Sequence, residues 1–126
     1  MTRDDLKTIT AAFLQAFNDN DLDAMMSYFA EDGVYEEFNG TRSQGLDAVR
    51  AAFKPQFSGG FGEMKFVDED LMVDAETNKV MASWRCELEV NGKPTHWRGL
   101  DLLTFNDDGK VALKLTYAKA KVPLFQ

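Results

Sequence analysis

Apolar residues recur every three or four positions early in the chain and at every second position later. Leu6, Ile9, Phe13, Leu14 and Phe17 fall on one helical face, which predicts an amphipathic helix over about 3–18. Thr2 precedes it as N-cap, with Asp5 three residues on as a capping-box partner. Asn18-Asp19-Asn20-Asp21 breaks the pattern. A second, short helix starts at Asn20 or Asp21, carries Leu22, Met25, Met26 and Phe29, and ends at Gly33. A short strand follows over 34–38, and Asn39-Gly40 turns the chain. Gly45 precedes a third helix whose buried side is Leu46, Val49, Ala52, Phe53 and Phe57. Pro55 fits only a kink or the last turn of that helix, because it lacks an N–H.

Beyond residue 62 the reading is all β. One strand covers 63–74 and the next 79–90. In the latter Val80, Ala82, Trp84, Cys86, Leu88 and Val90 alternate with Ser83, Arg85, Glu87 and Glu89. Asn91-Gly92 is a hairpin turn. A third strand runs through 96–105, Asp107-Asp108-Gly109 turns again, and a last strand covers 110–121. Hairpin links between these four predict an antiparallel meander. The fold class is therefore α+β: three N-terminal helices packed on a curved, mainly antiparallel sheet of one short early strand and a four-strand meander. Residues 1–126 make one domain. Ser58-Gly59-Gly60-Phe61-Gly62 is a helix-to-strand connection rather than a phosphate loop, since no Gly-Lys-Ser/Thr follows.

Two carboxylates stand out from these patterns. On the third meander strand Trp97, Gly99, Asp101, Leu103 and Phe105 share a face that is apolar but for Asp101; His96 and Arg98 lie on the other. Glu36 sits likewise between Val34 and Phe38. A carboxylate there costs free energy unless it is paired or used. A structural ion pair, a catalytic or ligand-binding role, and for Glu36 a solvated edge position all satisfy that condition. If both project into one apolar space, one can serve as base and the other as hydrogen-bond donor, with no cofactor. Phe13, Phe17, Phe53, Trp84 and Trp97 would wall such a space for a small hydrophobic ligand, and would serve equally as core.

Charge and composition narrow the partners. The 126 residues carry 21 acidic against 14 basic side chains, a formal charge of −7. That argues against nucleic acid and against adhesion to an anionic membrane. No apolar run reaches the length of a membrane span, and Met1 to Asp5 holds no signal-peptide core. One cysteine, Cys86, leaves no internal disulfide, so a cytoplasmic location is expected. One His and one Cys make a metal site improbable, and Cys86 on an apolar face predicts an inert thiol.

The whole chain resembles the nuclear transport factor 2-like fold, the α+β cone of ketosteroid isomerases and SnoaL-like polyketide cyclases. The residues carrying the resemblance are Asn20-Asp21-Leu22-Asp23-Ala24, Tyr28-Phe29-Ala30-Glu31-Asp32-Gly33-Val34-Tyr35-Glu36, Gly45-Leu46-Asp47-Ala48-Val49, and Asp101-Leu102-Leu103-Thr104-Phe105 with the Asn106-Asp107-Asp108-Gly109 turn. It implies a cone-shaped, cystatin-like barrel, a catalytic base at Glu36 and an acid or oxyanion donor at Asp101. Phe13 stands where the isomerases carry a tyrosine. The limonene-epoxide-hydrolase pattern is not met, with Arg85 directed away from the pocket and Thr116 at its last-strand Asp. The resemblance also turns Val111, Leu113, Leu115 and Tyr117 outward with Leu100 and Leu102, toward a second subunit of a homodimer. Lys114 and Thr116 then face the pocket, where Lys114 could pair with Asp101 or Glu36. The reading that follows is a small-molecule acid–base enzyme of isomerase, cyclase or dehydratase type; its alternative is a non-catalytic dimeric binding or protein-interaction module.

Overall fold

A computed structural model describes residues 1–60 and 62–119. Helix α1 (Arg3–Asn18) is closed at its start by the predicted capping box, in which Thr2 Oγ1 accepts from Asp5 N and the Asp5 carboxylate accepts from Thr2 N. Helix α2 (Leu22–Met26) is capped by Asp21 and ends at Ser27, earlier than Gly33. Phe29 therefore opens strand β1 (Phe29–Glu36) instead of closing the helix. Gly33 lies inside β1, where the register to β6 shifts. A Cβ there would come within 2.9 Å of Ala30 O and 3.1 Å of Val111 O, so only glycine lets the backbones approach. Strand β2 (Arg42–Gln44) is an early strand that the sequence reading lacks. Arg-Ser-Gln carries no apolar alternation, and only pairing with β1 makes it a strand. Helix α3 (Leu46–Phe57) takes Pro55 into its last turn.

The meander is β3 (Lys65–Asp74), β4 (Lys79–Val90), β5 (Lys93–Phe105) and β6 (Val111–Lys119). Asn91 and Gly92 both have positive φ, as the tight β4–β5 hairpin requires. The end of the expected last strand, at 120 and 121, and Phe61 lie outside the described residues. Strand order is β2-β1-β6-β5-β4-β3, with β1 and β6 parallel and the other neighbours antiparallel. β2 and β3 are opposite edges and do not pair, so the sheet is curved and open; the closed cone expected from the resemblance is not formed.

The helices cover one face. Phe13, Phe17, Phe53 and Phe57 from the helices meet Phe29, Val80, Leu103, Phe105 and Val111 from the sheet in one core. Two asparagines tie α1 to the sheet and the turn after α1 to the end of α3. Asn18 Nδ2 donates to Phe66 O while Phe66 N donates to Asn18 Oδ1, both at 2.8 Å. Asn20 Nδ2 donates to Phe57 O at 3.0 Å. A gap lies between α1, α3 and the sheet, where the aromatic core gives way to polar side chains. No helix among the described residues is long and apolar enough to cross a membrane.

Candidate functional site

Asp101 follows the alternation of β5 inward and is 3% exposed. Its neighbours on β6 are placed by register: Asp101 pairs with Thr116 and Leu103 with Lys114. Lys114 and Thr116 are two residues apart and share its face. Lys114 Nζ donates to Asp101 Oδ1 at 2.9 Å and to Thr116 Oγ1 at 2.6 Å, and Thr116 Oγ1 donates to Asp101 Oδ1 at 2.7 Å. From the other side Trp84 Nε1 donates to Asp101 Oδ2 at 3.1 Å. Gly99, the cross-strand partner of Trp84, makes this possible. A Cβ at 99 would fall 2.6 Å from Trp84 Cη2 and 2.5 Å from Tyr117 O.

Lys114 is as buried as its partner, at 4%. Besides two oxygens, its ammonium meets aromatic faces, 4.7 Å from the ring centre of Tyr35, 5.4 Å from Phe53 and 5.6 Å from Phe17. An ammonium has three N–H donors, and protein oxygens take two of them.

Over this network lies a cavity of about 370 Å³, a size typical of small-molecule sites. Asp101, Lys114 and Thr116 are its polar floor. Phe17, Phe53, Phe66, Trp84 and Trp97 line its sides, and the exposed Phe38 and Asp68 its rim. Phe13 is not part of it: fully buried, it packs edge-on against Phe17, Tyr28 and Phe29 in the core.

Glu36 is not part of it either. Its half-exposed carboxylate is bound by Arg42 Nη1 at 2.9 Å on the opposite face of β1. The inward face of β1 is that of Tyr35, which pairs with Lys114 on β6 and stacks on Phe53 at 4.1 Å. Both faces of 34–38 carry apolar residues, so alternation alone does not say which is buried. Phe38 misleads further, because β1 ends at Glu36 and Phe38 reaches the rim beside Trp97 from the turn. Of the two neighbouring glutamates it is Glu37 that lines the cavity, together with Asp101 on the floor and the exposed Asp68 on the rim. The Glu37 backbone is held in the turn by Glu37 N donating to Thr41 O and Gly40 N donating to Glu37 O, both at 2.8 Å. Among the described residues its carboxylate has no salt-bridge partner.

The oxygens of Asp101 accept from Trp84, Lys114 and Thr116, and the Lys114 ammonium is a donor at the cavity floor. Tyr35 is kept neutral, since burial pushes its phenol above the ordinary range. Burial likewise pushes the Cys86 thiol up to about 11, which keeps it protonated and inert. Arg85 bonds Glu87 away from the cavity, and His96 is exposed. Among the described residues no three His, Cys, Asp or Glu side chains converge as a metal site.

Solved structures share this fold. A candidate polyketide cyclase from Xanthomonas campestris pv. campestris superposes with a TM-score of 0.79 at 22% identity, covering 93% of this chain and 92% of that one. SalBIII, an epoxide hydrolase/cyclase-like enzyme of pyran ring formation in the polyether salinomycin, gives 0.79 at 20% identity over 90% of both chains. A nuclear-transport-factor-2-like protein of unknown function from Mesorhizobium loti gives 0.77 at 21% identity over 93% of both. Curated protein sequences give no match. The SnoaL-like domain model matches residues 10–114, a span that includes both members of the buried ion pair and stops short of Thr116. The chain belongs to the SnoaL-like domain family.

Proposed function

We propose that this protein binds a small, mainly apolar molecule carrying a carbonyl oxygen and performs cofactor-independent acid–base chemistry on it, of isomerase, cyclase or dehydratase type. One observation carries the reading. The Lys114 ammonium is buried at the floor of an aromatic cavity, and among the described residues no protein oxygen takes its third N–H. A ligand oxygen at that point would complete its hydrogen bonds. Asp101 balances the charge, and Trp84 and Thr116 fix the carboxylate. Glu37, rather than Glu36, is the base. It takes a proton from the carbon next to the carbonyl, the bond electrons move onto the oxygen, and Lys114 stabilises the resulting enolate. Where the enolate is conjugated with a double bond, Glu37 returning the proton to the far carbon gives isomerisation; attack of the enolate carbon on a second carbonyl of the same molecule gives cyclisation, the new alkoxide taking the proton back from Glu37. The dry aromatic walls strengthen the contact between ammonium and enolate. The cyclase-type relatives support the class of chemistry and leave the substrate open.

The second reading, a binding module without catalysis, is favoured by one observation. Both carboxylates singled out in the sequence are held in ion pairs, Glu36 by Arg42 and Asp101 by Lys114. In either case we infer a homodimer through the outer sheet face. There Met72, Met81, Leu102 and Leu115 are cross-strand neighbours over four strands, on the side opposite the helices.

Hydrogen exchange separates the two readings. The methyl protons of 2-acetylnaphthalene, a small apolar enolisable ketone, are followed by NMR in D₂O. The enzyme reading expects the protein to accelerate their exchange, and Glu37→Gln to remove roughly 10²–10⁴-fold of that acceleration. Saturable binding of the ketone without acceleration would establish the binding module instead.

A further inference from the structure

Tyr35 lines the cavity beside Lys114, and the proposed reaction leaves its hydroxyl unused. Its ring is fixed on both sides, stacked on Phe53 at 12° to its plane and covered by Lys114 Nζ at 4.7 Å from its centre. The ammonium lies over the ring and so does not occupy the hydroxyl. Thr116 is the hydroxyl's polar neighbour, but its oxygen gives its proton to Asp101 and takes one from Lys114, and among the described residues no hydrogen bond of normal geometry holds the Tyr35 hydroxyl. Nor is the hydroxyl sealed inside the protein. Among the described residues the buried side-chain oxygen or nitrogen without a partner is Thr10 Oγ1. Tyr35 is 8% exposed and lines the cavity, so its open hydroxyl opens into the cavity.

From this geometry we infer that Tyr35 Oη is a second hydrogen-bond donor to the ligand oxygen, forming with Lys114 Nζ a two-donor clamp that selects carbonyl compounds over hydrocarbons of the same shape. The inference rests on the reading of the cavity as a ligand site. Register puts both donors in place, since Tyr35 and Lys114 are side-by-side neighbours of the parallel β1–β6 pair. Burial holds the phenol protonated, so it stays a donor wherever the fold is intact. A carbonyl oxygen has two lone pairs and can take both donors; an enolate oxygen takes them more strongly. Tyr35 thereby sets specificity, and its contribution grows as charge develops on the oxygen.

The test compares 2-acetylnaphthalene with 2-ethylnaphthalene, which has the same outline without the oxygen. Affinities for the parent and Tyr35→Phe are measured by calorimetry, with thermal melts of both. Phe keeps the stacking and the cation–π face. The expected result is a roughly three- to tenfold loss of ketone affinity, the worth of one neutral hydrogen bond, with hydrocarbon affinity and melting temperature unchanged. Equal losses for both ligands, or no loss for either, would overturn the clamp. A parent that binds neither ligand would overturn the ligand-site reading, and the clamp with it. Should Tyr35→Phe fold poorly, the parent suffices. With ¹³Cζ-labelled tyrosine, of which the chain has three, the Tyr35 resonance is expected to shift with the ketone and not with the hydrocarbon; identical shifts would contradict the clamp.

Discussion

A lysine and an aspartate 2.9 Å apart, each at most 4% exposed, have given up nearly all their hydration. Their attraction offsets that cost only when further hydrogen bonds complete the site, which Thr116 and Trp84 supply. Removing one partner leaves the other charge stranded. Asp101→Asn is therefore expected to lose about 3–5 kcal/mol of stability in denaturant unfolding, while Asp101→Leu with Lys114→Met is expected to stay close to the parent or exceed it. A double variant as unstable as the single one would make the pair a structural device and weaken the functional reading. Much of this site is legible residue by residue. The single carboxylate on the apolar face of 96–105 marks Asp101, and placing Lys114 and Thr116 beside it follows once the outer face of the last strand is turned toward a partner. Glu37 and Tyr35 are not legible, because 34–38 has apolar residues on both faces and only the stacking of Tyr35 on Phe53 decides between them.

At the scale of the elements, the site depends on where strands approach one another. Trp84 spans β5 above Gly99, and that passage lets its indole N–H reach Asp101. Gly99→Ala would place a methyl in contact with both the indole and the Tyr117 carbonyl. We expect a loss of about 1–3 kcal/mol in unfolding, the usual effect of overpacking, together with a change in Trp84 emission. An unaltered variant would mean that β5 and β6 separate more easily than their register suggests. Helix α1 and the β4–β5 turn are anticipated by the sequence, since a capping box and an Asn-Gly turn are local signals, though β5 begins at Lys93, three residues before the strand read from alternation. β2 and the start of β1 are not, since only pairing with neighbouring strands makes those residues extended.

For the molecule as a whole, the helices leave one sheet face uncovered. Its row of Met72, Met81, Leu102 and Leu115, half-buried but for the exposed Met72 and with Tyr117 half exposed, is an apolar strip on a chain of net charge −7. The homodimer proposal predicts twice the chain mass in solution and the monomer mass for Leu102→Glu, both by light scattering; a parent that stays monomeric at high concentration would contradict it. The order of helices and meander is legible from periodicity alone. That β1 joins the meander in parallel to β6, and that the sheet stays open, is not, because long-range pairings leave no period in the sequence.

The central claim is that the buried ion pair reads an oxygen on a ligand held by the aromatic walls. Trp84 and Trp97, the chain's two tryptophans, both line the cavity and meet edge to face at 5.1 Å, so their emission reports what enters. The decisive measurement is a fluorescence titration of the parent and of Asp101→Leu/Lys114→Met with 2-acetylnaphthalene and 2-ethylnaphthalene. The account predicts saturable quenching of the parent by both ligands with the ketone bound more tightly, and a double variant that keeps the hydrocarbon and retains at most the roughly three- to tenfold ketone preference that Tyr35 supplies. Equal affinities of the parent for the two ligands, or a ketone preference undiminished by the double substitution, would contradict it.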